Sequence, residues 1–302
     1  MTTPDEYAAQ LEAESRKWAA HLEVEASGQM LAWLDHPLIN AHYRSRAAIE
    51  GSDWPEWVRR ALGGPAERSL DLGCGAGGTS LKIWRAGASR WLDGADVSSG
   101  RVQEGERARA AAGAPGRFWD ADLNTLALPA SHYDLIFSSH SFHHFLALEH
   151  ILEQVAQALT PRGLFVLEEF VGPTQFQWTD AQMDIASALL RLLPERLRLL
   201  PWGAVKDREG RPTPAEVVAV SPFESIRSAE IRPLFERYFD LTVVRPLGGT
   251  VQQLLYNGIA HNFWPLDEEK ERYLRTIIAI EDRLIDSGML PSDFMLLVGR
   301  AR

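Results

Sequence analysis

The chain has 302 residues, of which 45% are hydrophobic and 24% charged, a mix suited to one large soluble domain or one domain with a cap. Its 31 basic and 41 acidic residues give a net charge of −10, which argues against nucleic acid as an obligate partner. The single cysteine, Cys74, excludes an intrachain disulfide; the opening MTTPDEYAAQLEAESRKW is unlike a signal peptide, and no run approaches the roughly 18 apolar residues of a membrane span, so a cytoplasmic protein with no membrane partner is expected.

Thr3-Pro4-Asp5-Glu6 has the form of a helix start: a threonine cap, a proline in the first turn and a glutamate three residues past the cap. Tyr7, Leu11, Trp18 and Leu22 follow on one face, and Gly28 ends the helix. A second helical stretch with Met30, Leu31, Leu34 and Ile39 is interrupted at Pro37, and a third with Trp54, Trp57, Val58 and Leu62 closes at Gly63-Gly64-Pro65. Residues 1–64 are therefore expected to be helical.

From residue 69 the pattern alternates strand and helix, the signature of a parallel sheet with crossovers. Strands are expected at Ser69–Leu72, Trp91–Val97, Phe118–Ala121, Tyr133–Ser138 and Leu164–Glu168, with helices at Ser80–Ala86, Val102–Ala112 and Leu148–Leu159. YDLIFS, the fourth of these strands, is an unbroken apolar run suited to burial on both faces. Alternation lapses over residues 170–226, where one helix (Ala181–Leu193) is followed by proline-rich irregular chain. It resumes with a helix at Ser228–Tyr238, a strand at Leu241–Arg245 and a closing strand at Phe294–Gly299. Two helices, about Val251–Asn262 and Asp267–Ser287, fall between those strands, the second capped by Asp267 and stopped by Gly288. The expected fold is a Rossmann-like α/β architecture, a doubly wound, mostly parallel seven-stranded sheet. Its core spans residues 65–169 and its C-terminal part residues 227–302, with helical insertions at 170–226 and about 250–290 on the ligand edge.

The chemistry centres on LDLGCGAGGTSLKI, residues 70–83. Gly73, Gly75 and Gly78 fit the G-x-G-x-x-G dinucleotide fingerprint, whereas Asp71, Gly73, Gly75 and Gly77 fit D-x-G-x-G-x-G. Asp71 favours the second template, because a carboxylate beside the loop repels a pyrophosphate and attracts a cationic ammonium. Cys74, inside the loop, reads as a small filler rather than a nucleophile. Asp96, with Val97 after it, ends the second strand, where an acid accepts hydrogen bonds from both ribose hydroxyls of a nucleoside.

With these motifs the stretch Ser69–Leu167 resembles the class I S-adenosylmethionine (SAM)-dependent methyltransferases of the small-molecule type. The resemblance implies a sheet ending in an antiparallel hairpin, N-terminal helices that cover the active site, and SAM as cofactor. It also implies that Asp122 meets the exocyclic amine of adenine, that the Leu123 backbone meets the ring, and that Ser139 borders the methionyl group. The turn that follows, with His140, His143 and His144, then faces the acceptor. No metal is expected, since these histidines have no clear carboxylate partner at ligand spacing in the sequence. His144, slightly ahead of His143 on the resemblance, is the expected base, with Glu169 at the end of the fifth strand orienting it. Phe176, Trp178 and Tyr256, in or beside the insertions, are expected to join His140 in the acceptor site. The reaction expected is methyl transfer to oxygen or nitrogen of a small molecule; the rivals are a nicotinamide-dependent oxidoreductase and a SAM-binding protein that transfers nothing.

Overall fold

A computed structural model describes residues 3–28, 30 and 32–302, so Leu31 of the second helical stretch lies outside the described residues. The strands are β1 (Ser69–Leu72), β2 (Leu92–Asp96), β3 (Gly116–Asp120), β4 (Tyr133–Ser139), β5 (Leu159–Phe170), β6 (Phe239–Gly248) and β7 (Phe294–Ala301). They form one seven-stranded sheet in the order β3-β2-β1-β4-β5-β7-β6. β1 to β5 pair in parallel, and β7 runs antiparallel between β5 and β6. This is the Rossmann-like α/β fold with its terminal hairpin.

The helices are α1 (Pro4–Ser27), α2 (Pro37–Ala47), α3 (Trp54–Leu62), α4 (Gly78–Arg85), α5 (Ser99–Ala111), α6 (Leu148–Ala158), α7 (Asp180–Arg191), α8 (Pro214–Val220), α9 (Ser228–Tyr238), α10 (Gln252–Tyr256) and α11 (Glu268–Asp286). Successive strand residues point to opposite faces, so the unbroken apolar run of β4 serves two cores at once. Ile136, with Leu70 and Leu72 of β1, packs among Leu152 and Val155 of α6 and Phe235 of α9. Leu135 and Phe137 pack on the other face, in a core that includes Val58 of α3, Ile83 of α4 and Val102 of α5.

The register sets the site. Leu72 pairs with Ala95, Asp96 with Asp120 and Ser139 with Glu168, so the carboxyl ends of the five parallel strands lie level along one edge. Strand order reverses between β1 and β4, and the crevice of an open α/β sheet opens at that switch.

Local signals account for most boundaries. At the start of α1, Glu6 N–H donates to Thr3 Oγ1 (3.2 Å) while Thr3 N–H donates to Glu6 Oε2 (2.7 Å), a reciprocal cap. Asp267 Oδ1 accepts Lys270 N–H at 2.8 Å and starts α11. Three expectations need correction. Pro37 begins α2 instead of interrupting a helix, because the first turn leaves its N–H position unbonded anyway. The helix expected over 251–262 is broken into α10 and a short 3₁₀ turn (Ala260–Phe263), with Gly258 at φ +81° between them. The chain near 214 is not irregular: Thr213 and Glu216 form a capping box that opens α8. Among the described residues no helix is long and apolar enough to cross a membrane.

Candidate cofactor and acceptor site

The turn from β1 into α4 folds tightly because its glycines take positive φ. Gly73 (φ +79°) donates its N–H to Ala95 O at 2.8 Å, and a Cβ on it would stand 2.2 Å from Ser141 Oγ. Gly77 (φ +80°) brings the backbone against Phe118, and α4 begins one residue later with its free N–H groups at the crevice. The space above this turn is a cavity of about 550 Å³. Asp71, Gly73, Cys74, Gly75, Asp96, Val97, Asp122, Leu123 and Ser139 all line it, and Gly77 lies behind the loop as its hinge.

The three acids at the strand ends sit in different surroundings. Asp71 is buried and accepts Ser80 Oγ at 2.5 Å; burial pushes its carboxyl up to about 7, the hydrogen bond opposing and the neighbouring Asp96 charge adding. Asp96 accepts Gly75 N–H on Oδ2 (2.9 Å) and Ser98 N–H on Oδ1 (2.8 Å), while burial raises its pKa. Both oxygens keep a lone pair for further donors. Asp122 accepts the Tyr7 hydroxyl at 2.9 Å on both oxygens, along with Asn124 N–H and Thr125 Oγ1. The Cys74 thiol is buried and raised well above its usual range, chiefly by burial, and packs beneath Gly94.

Helix α1 crosses the mouth of this cavity. Leu11, Glu14, Trp18 and His21 face the interior, and Ser98 Oγ donates to Ser15 O at 3.1 Å to hold the helix near β2.

A second cavity of about 530 Å³ adjoins the first, and Thr79, Ser139 and His140 belong to both walls. Its other sides are Asn40, Tyr43 and Arg44 of α2, Trp54 of α3, Lys82 of α4 and Glu168 of β5. His140, at φ +54°, sits at the junction, its Nε2 3.5 Å from the Tyr43 hydroxyl and 3.6 Å from Glu168 Oε1. Glu168 also accepts Trp54 Nε1–H at 2.8 Å. Burial works against its charge, but His140, Trp54 and Lys82 hold its carboxyl below the usual range.

Residues 70–163 match the family model described as a methyltransferase domain. This stretch is a methyltransferase domain. Over 107 residues the chain is 31% identical to an uncharacterised protein of Haemophilus influenzae, and over 107 residues 28% identical to the 27-O-demethylrifamycin SV methyltransferase of Amycolatopsis mediterranei. Those matches cover 34% and 35% of this chain, and 42% and 39% of the relatives, so the chain spans about two-fifths of their length. Among solved structures, an S-adenosylmethionine dependent methyltransferase from Mesorhizobium loti aligns over 82% of this chain and 97% of its own, at 18% identity and a TM-score of 0.45.

Within the methyltransferase domain and just beyond it the other expected residues separate. Glu168 and Glu169 point to opposite sides of β5, as neighbours on a strand must, and it is Glu168 that reaches a cavity. Glu169 is fully buried and takes Ser141 N–H (2.9 Å), Phe142 N–H (2.5 Å) and Phe170 N–H (2.5 Å) while lying 2.5 Å from His143 Nδ1. It clamps the turn after β4. His143 touches neither cavity; burial lowers its pKa, but Glu169 and Glu224 outweigh that and raise it to about 10. His144 lines the first cavity, edge-on to Trp18, and its carboxylate neighbours are Glu14 and Glu224 rather than Glu169.

The aromatic residues expected around the acceptor are core instead. Trp178 is buried and donates Nε1–H to Asp293 at 2.9 Å, Phe176 stacks on it with ring centroids 5.0 Å apart, and Tyr256 is fully buried against Phe263. None lines either cavity, because the insertions that carry them pack inward. The insertion around 250–290 likewise contributes nothing to either wall, whereas Phe223, near the end of the 170–226 insertion, does. Sequence reasoning missed Tyr7, Glu14, Tyr43, Trp54, Lys82 and Glu224. Glu14 left a signal, since it falls in the stripe Tyr7–Leu11–Glu14–Trp18, an acid among apolar positions at helical spacing.

Proposed function

We propose that the chain binds SAM in the first cavity and transfers its methyl group to an oxygen or nitrogen of a small molecule held in the second. The observation that carries this reading is the wall the two cavities share at the end of β4 and the start of α4, formed by Thr79, Ser139 and His140. SAM, when bound, supplies an electrophilic methyl on a sulfonium sulfur.

The residues present suit that cofactor. The glycine turn presents Gly73, Gly75 and Gly78 to the cavity, with open space where a Cβ on Gly78 would stand, and Asp71 beside it is the acid for the methionyl ammonium. Asp96 has lone pairs for ribose hydroxyls, while Asp122 and Leu123 stand at the end expected for adenine. An in-line displacement asks the protein chiefly to align nucleophile and methyl, and for a hydroxyl acceptor to remove a proton. His140 is the imidazole on the shared wall, and its side chain keeps 35% exposure where those of His143 and His144 keep 12% and 11%. Glu168 and Tyr43 orient it. A proton taken by His140 is balanced by the neighbouring Glu168 carboxylate. This reading moves the base from His144 and His143 to His140, and makes Glu169 a positioning residue.

Calorimetry with SAM, S-adenosylhomocysteine, NAD and NADP is the first test. Binding of the first two alone is expected; binding of a nicotinamide cofactor alone would falsify the reading. With a hydroxyl acceptor in hand, His140→Gln is expected to lower single-turnover rate about 10²–10⁴-fold, the usual contribution of a positioned base, with SAM affinity nearly unchanged. A variant as fast as the parent across the pH range leaves alignment as the whole of the catalysis.

A further inference from the structure

Beside the first cavity, the turn after β4 meets α1 and the loop before α9. His143, His144 and Glu224 each present one ring nitrogen or carboxylate oxygen there, and these atoms lie within 4.8 Å of one another. Each ring is backed by an acid on its far side. His143 Nδ1 lies 2.5 Å from Glu169 Oε1, and His144 Nδ1 lies 2.9 Å from Glu14 Oε1. The opposite nitrogens both turn to Glu224: His143 Nε2 is 3.5 Å from Oε1 and His144 Nε2 is 3.9 Å from Oε2.

An acid on one ring nitrogen selects the tautomer that leaves the other nitrogen bare, which is how metal-bound histidines are oriented. The partners missing from the local sequence thus arrive from α1, β5 and the loop before α9. A second observation is independent of spacing. Both ring nitrogens of His144 are buried, Nδ1 beside Glu14 and Nε2 toward Glu224, and neither has a hydrogen bond of acceptable geometry, which is destabilising in a protein interior. Charge points the same way. Glu14, Glu169 and Glu224 are three buried or nearly buried acids, set against the His143 ring that Glu169 and Glu224 favour in its charged form and against Lys17, with Nζ 3.2 Å from Glu224 Oε2. A divalent ion supplies the remaining balance.

We propose that His143, His144 and Glu224 form a site for a divalent transition metal, with zinc as the natural probe. Two imidazoles and one carboxylate with an open fourth position are a common zinc set. Zinc bonds of about 2.0–2.2 Å place ligand atoms roughly 3.3 Å apart, close to the 3.5 and 3.9 Å that separate the two imidazoles from the Glu224 oxygens. The ion would tie the turn after β4 to the loop before α9, with α1 fastened behind through Glu14. This site is independent of which molecule accepts a methyl group.

The test is calorimetry of the full chain, stripped with chelator and dialysed, against Zn²⁺ alone. One zinc per chain at about micromolar affinity or tighter is expected, and Co²⁺ in its place should give the visible absorption of a tetrahedral site. Glu224→Gln and His144→Asn should remove the binding, and Glu14→Gln, which touches no ligand position, should weaken it about 10–100-fold. Thermal unfolding of each variant in chelator checks that the fold is kept. Absence of zinc binding overturns the proposal, as does zinc binding that survives both Glu224→Gln and His144→Asn. NMR showing both imidazoles still doubly protonated at neutral pH with zinc present also overturns it, by assigning the balancing charge to protons.

Discussion

At the scale of single residues, Asp71 couples the cofactor site to pH. Its carboxyl is raised to about 7 from an ordinary 3.8, so the protonated form is favoured by the fold. A raised pKa contributes stability that is complete below the unfolded value and is lost as pH climbs through the folded one. Without cofactor, stability should therefore fall between about pH 4 and pH 7 by on the order of 2–4 kcal/mol from this group, then level off. Asp71→Asn should flatten that slope and be more stable than the parent at pH 8, by chemical denaturation at several pH values. Cofactor binding should show the reverse face of the same linkage. An incoming ammonium favours the carboxylate, so at pH 6 SAM binding should release a proton. Calorimetry in two buffers of different ionisation heat measures it, and equal heats would remove Asp71 from contact with the ammonium.

At the scale of elements, the segment after α7 is less a loose lid than its prolines and glycines suggest. Lys206 sends its ammonium inward to Leu254 O (2.7 Å), Leu255 O (3.2 Å) and Asn257 O (2.9 Å), and pairs with Glu209 at 2.9 Å. Burial lowers its pKa, with Glu209 opposing. Lys206→Met would strand a buried carboxylate and three carbonyls, so a loss of about 3–5 kcal/mol is expected in denaturant unfolding. A loss under 1 kcal/mol would mean that this segment is only draped on α10. Elements also mark where sequence reading succeeded. The glycine turn was legible because its constraint is local: positive φ and close approach demand glycine whatever packs nearby. Thr3–Glu6 was legible for the same reason, and Thr213–Glu216 carries the same Thr-Pro-x-Glu signal, obscured by the prolines around it. The choice between Glu168 and Glu169 was not legible, since it depends on where α3 and the turn after β4 come to rest. Nor were Phe176, Trp178 and Tyr256, because a core and an apolar pocket ask for the same side chains.

For the molecule as a whole, α1 is the element that stands between the first cavity and solvent. It roofs the first cavity, and its Tyr7 hydroxyl occupies Asp122, the acid proposed to meet the adenine amine. Because Tyr7 and Asp122 belong to one chain, that contact competes with an incoming nucleoside at a fixed effective molarity, insensitive to protein concentration. Tyr7→Phe removes the competitor and leaves the ring in place. SAM and S-adenosylhomocysteine should then both bind about 2–10-fold tighter, the yield of one net hydrogen bond. Unchanged dissociation constants would show that the hydroxyl and the adenine do not meet. Tightening both ligands equally has a kinetic price: the spent cofactor leaves more slowly, and turnover limited by release should fall even as affinity improves. If Asp122 meets the adenine as proposed, Tyr7 is a tethered competitive inhibitor, one whose dose is written into the length of a helix.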